Sequence, residues 1–230
     1  MDYLLRDSLH AGVDYGRYDW RRLANTIVAV PGSDEEQQRP IGVSTGGWHA
    51  AEGLILARYF MFTQVYFHKT RVAYDHHLRH ALAEMLPGGK FPPPTKVGIK
   101  RYLEWDDWLV LGRLARNKGG DHGRRLSERD HYRQVIETPE TPKESDLENL
   151  IKWRQALDDL LVAEEQADKS WYKDKEFDIP VLKEGRTPEV APLSKYSSVV
   201  GKIKPIKQVK LYVRREDREE AVRRLEKVKG

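Results

Sequence analysis

Cysteine is missing from this chain of 230 residues, so the protein contains neither disulfides nor thiolate metal ligands. Also missing is any apolar run of the ~18–20 residues that cross a membrane. The residues after Met1 do not follow the pattern of a signal peptide. These absences favour a soluble protein of the reducing cytoplasm.

The motifs of two large enzyme classes are absent as well. The glycine pairs Gly46-Gly47 and Gly119-Gly120 lack the Lys-Ser/Thr of a P-loop and its strand–loop–helix context. Neither a cysteine nucleophile nor the order of a Ser-His-Asp triad can be argued from the sequence. The sequence therefore gives no support to a P-loop enzyme or to a nucleophilic hydrolase.

Charge is abundant but unevenly distributed. Charged residues make up 33% of the chain and hydrophobic residues 39%, with a formal net charge of +4. The segment from Gly201 to Gly230 holds eleven Lys or Arg against five Asp or Glu, a local excess of about +6. A basic tail from Lys202 to Lys229 could bind nucleic acid or nucleotide phosphates. A solvated surface is the simpler interpretation.

Most of the chain has helical periodicity, and the strongest pattern runs from Trp48 to Leu86 without a proline. If unbroken, this helix would be about 55 Å long. A polar loop or short hairpin is expected over Glu35 to Ile41. The predicted helices are Met1–Ser8, Trp20–Val30, Trp48–Leu86, Tyr102–Leu114, Gly123–Arg133 and Ser145–Ala167.

Near the C-terminus the pattern changes from helical to mixed. Alternating apolar residues over Gln208 to Val213 predict a strand, and an amphipathic helix follows it. A shift in composition at Thr138–Pro142 marks a boundary. The predicted fold is mainly α: a helical part over residues 1–140, followed by a C-terminal helix and a small α+β appendage over residues 141–230.

Several segments together resemble the HD-domain phosphohydrolases, in particular the deoxynucleoside triphosphate (dNTP) triphosphohydrolase branch. The matching segments are Met1–Ser8, His10–Gly16, Ala57–Thr70, Tyr102–Trp108, Ser197–Val200 and Val209–Val213. The resemblance covers nearly the whole chain, as the C-terminal part of such an enzyme. It implies the helical HD-type fold predicted for residues 1–140. It also implies hydrolysis of a dNTP to a deoxynucleoside and inorganic triphosphate.

The resemblance also implies substrate-binding residues. Arg58 would contact the substrate phosphates, Tyr66 would pack on the sugar, and Tyr3 and Asp7 would face the deoxyribose. These residue types suit their partners, because a guanidinium binds phosphate in a bidentate manner and an aromatic ring covers an apolar sugar face. His68 and Lys69 match positions near an effector nucleotide in oligomeric members of the family.

The divalent metal of the family (Mn, Mg, Fe or Zn) is held by two histidines and two aspartates, one pair being a consecutive His-Asp. None of the eight histidines here precedes an aspartate. The resemblance places the ligands upstream of the position of Met1, so we assign no catalytic and no metal-binding residue and no cofactor to this chain. We expect a truncated or split form that is inactive alone.

Two local patterns have a simpler interpretation than a catalytic or metal site. His76 and His80 have a spacing that can bind zinc on a helix, but a helix surface rich in His and Arg is favoured. Asp106 and Asp107 could form a catalytic pair, but adjacent helical residues point about 100° apart. We expect both acids to be surface residues.

Two functions of other classes remain open beside the hydrolase. The first is a non-catalytic nucleotide-sensing or oligomerisation subunit that binds deoxynucleotides or a partner chain through His68, Lys69 and the basic tail. The second is nucleic-acid binding through that tail. The expected protein partner is a second copy of this chain or a separate chain with the His-Asp motif. Without one, apolar surface would be exposed to solvent.

Overall fold

A computed structural model of the chain describes residues 1–31, 40–167, 178–185 and 187–229. Among the described helices, none combines the length and the apolar character needed to cross a bilayer. The α-helices of these ranges are α1 (Asp2–Ala11), α2 (Trp20–Asn25), α3 (Trp48–Met61), α4 (Lys69–Met85), α5 (Ile99–Leu103), α6 (Asp107–Ala115), α7 (Gly120–Ser127), α8 (Glu144–Leu157), α9 (Leu193–Tyr196) and α10 (Arg218–Lys229). The strands are β1 (Ile27–Ala29), β2 (Ile41–Ser44), β3 (Arg133–Glu137), β4 (Leu161–Gln166), β5 (Pro180–Lys183), β6 (Glu189–Pro192) and β7 (Val209–Val213).

The chain divides into two compact units, each built from two segments. The first unit contains Met1–His68 and Ala167–Lys207, and the second contains Lys69–Gln166 and Gln208–Gly230. The boundary expected near residue 140 is not the division between these compact units, and as a family-domain boundary it stays a prediction. A mainly α-helical fold with a small α+β part is confirmed.

In the first unit, helices pack against a mixed sheet with the strand order β1-β2-β5-β6. The inner strands β2 and β5 run parallel, and each outer strand is antiparallel to its neighbour. Apolar residues of α2, α3 and α9 pack against this sheet. The buried core consists of Leu23, Val43, Ala50, Ala51, Ile55, Val181, Leu193 and Val200.

In the second unit, β7 is the central strand of an antiparallel sheet with the order β3-β7-β4. All five of its residues are buried. The alternating apolar residues that predicted this strand pack with α8 and α10. The buried core consists of Ile136, Leu150, Leu157, Leu160, Val209, Leu211, Val213, Ala221 and Leu225. Tyr212 lies on the opposite face of β7, and its hydroxyl donates a 3.1 Å hydrogen bond to the carbonyl of Lys69 at the start of α4.

The prediction of one long helix from Trp48 to Leu86 is wrong. Helix α3 ends at Met61 and continues as one π-helical turn, Phe62–Tyr66. This turn is closed by a 2.7 Å hydrogen bond from the Phe67 amide to the Phe62 carbonyl. The rings of these two phenylalanines stack with centroids 5.6 Å apart. The helix is interrupted at His68, and α4 begins at Lys69.

Two other predicted helices are too long. The helix from Trp20 ends at Asn25, since the Thr26 hydroxyl bonds the carbonyls of the last turn and the following residues form β1. The helix predicted to reach Ala167 ends at Leu157. Asp158 takes a left-handed φ of +39°, which stops the helix, and the chain continues into β4.

The predicted helices between residues 102 and 133 also differ from the structure. Tyr102–Leu114 is two helices, because the Asp106 carboxylate accepts a 2.8 Å hydrogen bond from the Leu109 amide and begins α6 there. The helix over Gly123–Arg133 is α7, which ends at Ser127. The predicted strand near Val209 and the C-terminal helix are confirmed, whereas most of the expected loop over Glu35–Ile41 lies outside the described residues.

Candidate functional site

Three of the predicted substrate-binding residues meet in the first unit. The hydroxyl of Tyr66 donates a 2.5 Å hydrogen bond to a carboxylate oxygen of Asp7. The ring of Tyr3 lies beside that of Tyr66, with centroids 6.5 Å apart and planes inclined by 37°. We call Tyr3, Asp7 and Tyr66 the sugar cluster. It combines two aromatic rings with one hydrogen-bond acceptor, the three groups that the resemblance predicts to face a deoxyribose.

The residues that follow α1 pack back against that helix. This packing fixes the orientation of α1, and with it the side of the helix that carries Asp7. Gly12 ends the helix in a left-handed conformation with φ of +66°. The buried Ser8 hydroxyl donates to the Val13 carbonyl and accepts a 3.3 Å bond from the Gly16 amide. A Cβ at Gly16 would lie 2.2 Å from the Leu4 carbonyl oxygen, so only glycine fits there.

Tyr66 owes its direction to the π turn. In a continuous α-helix, Arg58 and Tyr66 would lie about two turns apart on similar faces, as the sequence predicted. The π turn holds more residues per turn than an α-helix, and such turns occur frequently at functional sites. Arg58 is exposed in the last turn of α3, just before this change of geometry.

The two predicted effector residues lie where the helix is interrupted. His68 is an exposed residue of the break itself, at the end of the first unit's opening segment. Lys69 begins α4 in the second unit, and its side chain contributes to a cavity there. The structure therefore gives Lys69 a defined surrounding that the sequence did not predict.

This cavity has a volume of about 500 Å³ and lies wholly within the second unit. Its lining contains the four permanent cations Lys69, Arg133, Arg215 and Arg218 and a single carboxylate, Glu219. Thr70, His131, Tyr132 and Gln134 complete the lining. We call it the basic cavity. Its volume is within the range of small-molecule sites, and its charge favours an anion.

Two side chains of the cavity lining, His131 and Gln134, have defined hydrogen-bonding states. An Arg133 nitrogen donates to the Nε2 atom of His131 at 2.5 Å, which requires that nitrogen to be unprotonated. Burial, followed by the charge of Arg133, lowers the pKa of His131. Among the buried side-chain nitrogen and oxygen atoms of the described residues, Oε1 of Gln134 is the one without a hydrogen-bond partner. A ligand hydroxyl or amine could satisfy it.

Most of the basic cavity is not predicted by the sequence patterns, because its cations are far apart in the chain. The register pairs Arg133 at the start of β3 with Val213 at the end of β7. Arg215 and Arg218 follow β7 directly, so antiparallel pairing brings all three arginines to one end of the sheet. The sequence feature that could have indicated this cavity is the presence of basic residues near the start of β3 and just after the end of β7.

The basic tail from Lys202 to Lys229 is not one continuous cationic surface in the structure. It contributes residues to both units, and several of its cations form ion pairs with carboxylates. These are Lys210 with Glu137, Arg214 with Asp217, Arg223 with Glu220, and Arg224 with Asp159 and Glu220. Nucleic-acid binding through this tail stays a prediction.

The expectation that the histidines of α4 lie on a helix surface is wrong for two of them. His76 is 9% exposed and His77 is fully buried. They pack against His122 of α7, which approaches α4 closely because Gly119 has a φ of +88° and carries no Cβ. A Cβ there would lie 3.0 Å from that of Ala81. These two histidines are buried because α4 and α7 pack together, and the spacing of residues along one helix does not predict such a contact.

The metal of the HD phosphohydrolases does not fit the part of the chain that the structure describes. Within those ranges, no group of three or more His, Asp or Glu side chains is placed to hold a metal ion. The Nδ1 atom of His76 is already bound at 2.7 Å to the carboxylate of Glu165. These described residues therefore supply no metal-dependent step of hydrolysis.

Comparison with known proteins identifies a family. Residues 19–167 match the model of a family described as the HD associated region. The uncharacterised protein MJ1154 of Methanocaldococcus jannaschii is 29% identical over 153 residues, which are 66% of this chain and 31% of that protein. The uncharacterised protein YwfO of Bacillus subtilis is 44% identical over 68 residues, which are 30% of this chain and 14% of that protein.

Two solved structures have a similar fold. A hypothetical protein from Aquifex aeolicus aligns with a TM-score of 0.78 and 27% identity, over 97% of this chain and 56% of that chain. A phosphohydrolase from Bacteroides thetaiotaomicron aligns with a TM-score of 0.62 and 19% identity, over 93% of this chain and 60% of that one. The chain thus spans less than two thirds of the length of each of these four proteins.

We expect the Tyr66→Phe variant to lose about 1 kcal/mol of unfolding free energy. The phenylalanine keeps the ring beside Tyr3 but removes the hydroxyl that binds the partly buried Asp7 carboxylate. Urea denaturation at pH 7.5 measures the difference. The matched control is Tyr15→Phe, an exposed tyrosine, which should change stability by less than about 0.5 kcal/mol. Equal losses in both variants would contradict the assigned hydrogen bond.

Proposed function

The chain belongs to the HD-associated-region family, and on that basis we propose that it supplies the nucleotide-binding part of an HD-type phosphohydrolase acting on dNTPs. The observation that carries this proposal is the sugar cluster. Residues 59 positions apart in the chain, Asp7 and Tyr66, meet through a direct hydrogen bond. The likeness of fold to a phosphohydrolase supports the general reaction class.

The sugar cluster can recognise a deoxyribose by shape and by one hydrogen bond. In the free protein, Asp7 accepts its hydrogen bond from Tyr66. A bound deoxynucleoside would offer its 3′-hydroxyl as the replacement donor, while the rings of Tyr3 and Tyr66 cover the apolar face of the sugar. Arg58, exposed in the last turn of α3, is the proposed contact to the phosphates.

Water activation is not proposed for these 230 residues. The sequence has no His-Asp doublet, and the described residues hold no group that fits a metal ion. We therefore assign binding and orientation of the nucleotide to this chain. The residues that activate water would belong to a His-Asp-containing segment or chain outside this sequence.

A second function, nucleotide sensing, is favoured by the basic cavity. Lys69, which resembles an effector-binding residue, lines this cavity together with three arginines. Four cations against one carboxylate would attract a phosphate chain, and the 500 Å³ volume can accommodate a nucleotide. We propose that the second unit binds an effector anion at this cavity, independently of the sugar cluster.

A protein partner is also proposed, because apolar side chains of the segment from Val97 to Leu111 are exposed. Val97 is 94% exposed and Trp108 is 82% exposed, and exposed apolar residues that lie together mark interaction sites. Leu103 and Leu111 belong to the same stretch. A second copy of the chain or a separate His-Asp-containing chain would bury them.

Asp7→Asn and Arg58→Gln should weaken binding in distinguishable ways. Calorimetric titration without metal, using each of the four dNTPs and the matching deoxynucleosides, measures both. Asp7→Asn should lower the affinity for both ligands about tenfold, because both contain the 3′-hydroxyl. Arg58→Gln should lower only the affinity for the triphosphates, also about tenfold, or ~1.4 kcal/mol.

The control for this titration is Arg17→Gln, which removes an exposed arginine paired with Asp14 in the same unit. It should leave both affinities unchanged. Identical affinities in the wild-type protein and in the Asp7→Asn variant would contradict the sugar cluster as a binding site.

The basic cavity should bind inorganic triphosphate even when the sugar cluster is disabled. Arg133→Gln or Arg215→Gln should each reduce triphosphate affinity about tenfold, because each removes one charged donor of the cavity lining. Arg223→Gln, an exposed arginine of α10 paired with Glu220, is the control and should have no effect. If all three variants bind triphosphate with equal affinity, the basic cavity is not the site that binds the anion.

A further inference from the structure

Two histidines of the second unit, the buried His77 and the half-buried His122, join three elements. The Nδ1 atoms of His77 in α4 and His122 in α7 lie 2.9 Å apart. The Nε2 atom of His77 lies 3.1 Å from the backbone amide of Tyr132, the residue before β3. His77 therefore connects α4 both to α7 and to the beginning of β3.

The direction of these hydrogen bonds fixes the protonation of both rings. A backbone amide can only donate, so Nε2 of His77 is an acceptor without a proton. A neutral imidazole has one proton, which must then lie on Nδ1 of His77 and point at His122. Nδ1 of His122 is consequently an acceptor, and its proton lies on Nε2.

Protonation of either ring breaks this arrangement. A proton on Nε2 of His77 would point at the Tyr132 amide hydrogen. A proton on Nδ1 of His122 would point at the Nδ1 proton of His77 across 2.9 Å. Two donors facing each other in a buried position repel and leave both unsatisfied. The connection exists only while both histidines are neutral.

Charged and titratable groups surround the pair on every packed element. Facing it are His76, His80 and Glu84 of α4, Asp121 and Arg125 of α7, and His131 before β3. Glu165 of β4 and Arg79 reach the cluster through His76.

The nearby carboxylates do not outweigh the burial of the two histidines and their cationic neighbours. Asp121 is engaged at 2.7 Å by Arg125, which lowers its pKa to about 2, and Glu165 binds Arg79 and His76. Burial, followed by the neighbouring His122, lowers the pKa of His77 to about 3. Burial, followed by His80, also lowers the pKa of His122, whereas Asp121 and then Glu84 act in the opposite direction.

We propose that His77 and His122 form an acid-sensitive latch that holds the start of β3 against α4 and α7 while both rings are neutral, and that releases it when they are protonated. The released residue, Tyr132, lies between His131 and Arg133, and all three line the basic cavity. Acid therefore loosens one wall of that cavity. The latch rests on the histidine geometry and does not require that the cavity bind a nucleotide.

Acidic pH opens the latch, because protons bind more tightly to the two histidines in the open state than in the closed state. Both histidines titrate below their unfolded value of about 6.5 in the closed state. The latch is thus fully effective above pH ~6.5 and weakens as the pH falls toward 3. From pH 7.5 to 5.0, the requirement that His77 stay neutral by itself raises the opening constant about 30-fold, and the lowered pKa of His122 raises it further.

Amide hydrogen exchange at Tyr132 measures this opening directly, after correction for the intrinsic pH dependence of exchange. In the wild-type chain, protection of the Tyr132 amide should fall by clearly more than about 30-fold from pH 7.5 to 5.0, because both histidines contribute. In His122→Asn, the asparagine Oδ1 can still accept from His77 but does not titrate. Protection should then be close to wild type at pH 7.5 and should fall only about 30-fold.

Two controls separate a latch from general acid unfolding. The Thr138 amide, bound at 3.0 Å to the Val209 carbonyl just after β3, should lose much less protection than Tyr132. His10→Asn changes an exposed histidine of the first unit and should behave as the wild-type chain does. The proposal fails if Tyr132 and Thr138 lose protection equally, or if wild type and His122→Asn respond equally to pH.

The wild-type chain alone also decides the question if the variant does not fold. Long-range proton–nitrogen NMR spectra at pH 7.5 should show His77 protonated on Nδ1 and His122 on Nε2. Any other pair of tautomers would overturn the latch, because the two hydrogen bonds could not then coexist.

Discussion

The hydrogen bond from Tyr66 to Asp7 is the interaction on which the proposed site depends. It joins a π turn at the end of α3 to helix α1, which begins the chain. The π turn redirects Tyr66, and the folded-back segment at Gly16 holds α1 in place. Tyr3 completes the cluster from the same helix. Without this bond, the two aromatic rings and the carboxylate would be three unrelated surface groups rather than one site for a sugar.

The second unit is organised around a different constraint, the complete burial of β7. Because both faces are covered, the ends of β3 and β7 are brought against α4, and charged residues beyond the strand ends gather in the basic cavity. The same packing buries His77 and holds the half-buried His122 beside it, next to one wall of that cavity. The cationic lining of the basic cavity and the acid-sensitive histidine latch thus lie next to each other, because β7 positions the elements that carry both.

Sequence patterns predicted what is local or shared with a family, and missed what depends on tertiary packing. The apolar alternation around Leu211 identified the central strand, and the resemblance brought Tyr3, Asp7 and Tyr66 together as candidates before any contact was known. The break at His68 was missed, since no proline or glycine marks it. The π turn of five residues is also too short to show a periodicity of its own. The arginines of the basic cavity and the buried His77 were missed because strand register and helix contact bring them together.

The central claim is that these residues bind a dNTP but do not activate water. The most direct measurement is release of inorganic triphosphate from each dNTP by the purified 230-residue chain with Mn²⁺ present, under conditions in which binding is demonstrated by titration. The account predicts saturable binding with no release above the rate without protein. Sustained triphosphate release that the Asp7→Asn substitution abolishes would contradict it, since hydrolysis would then proceed on this chain alone.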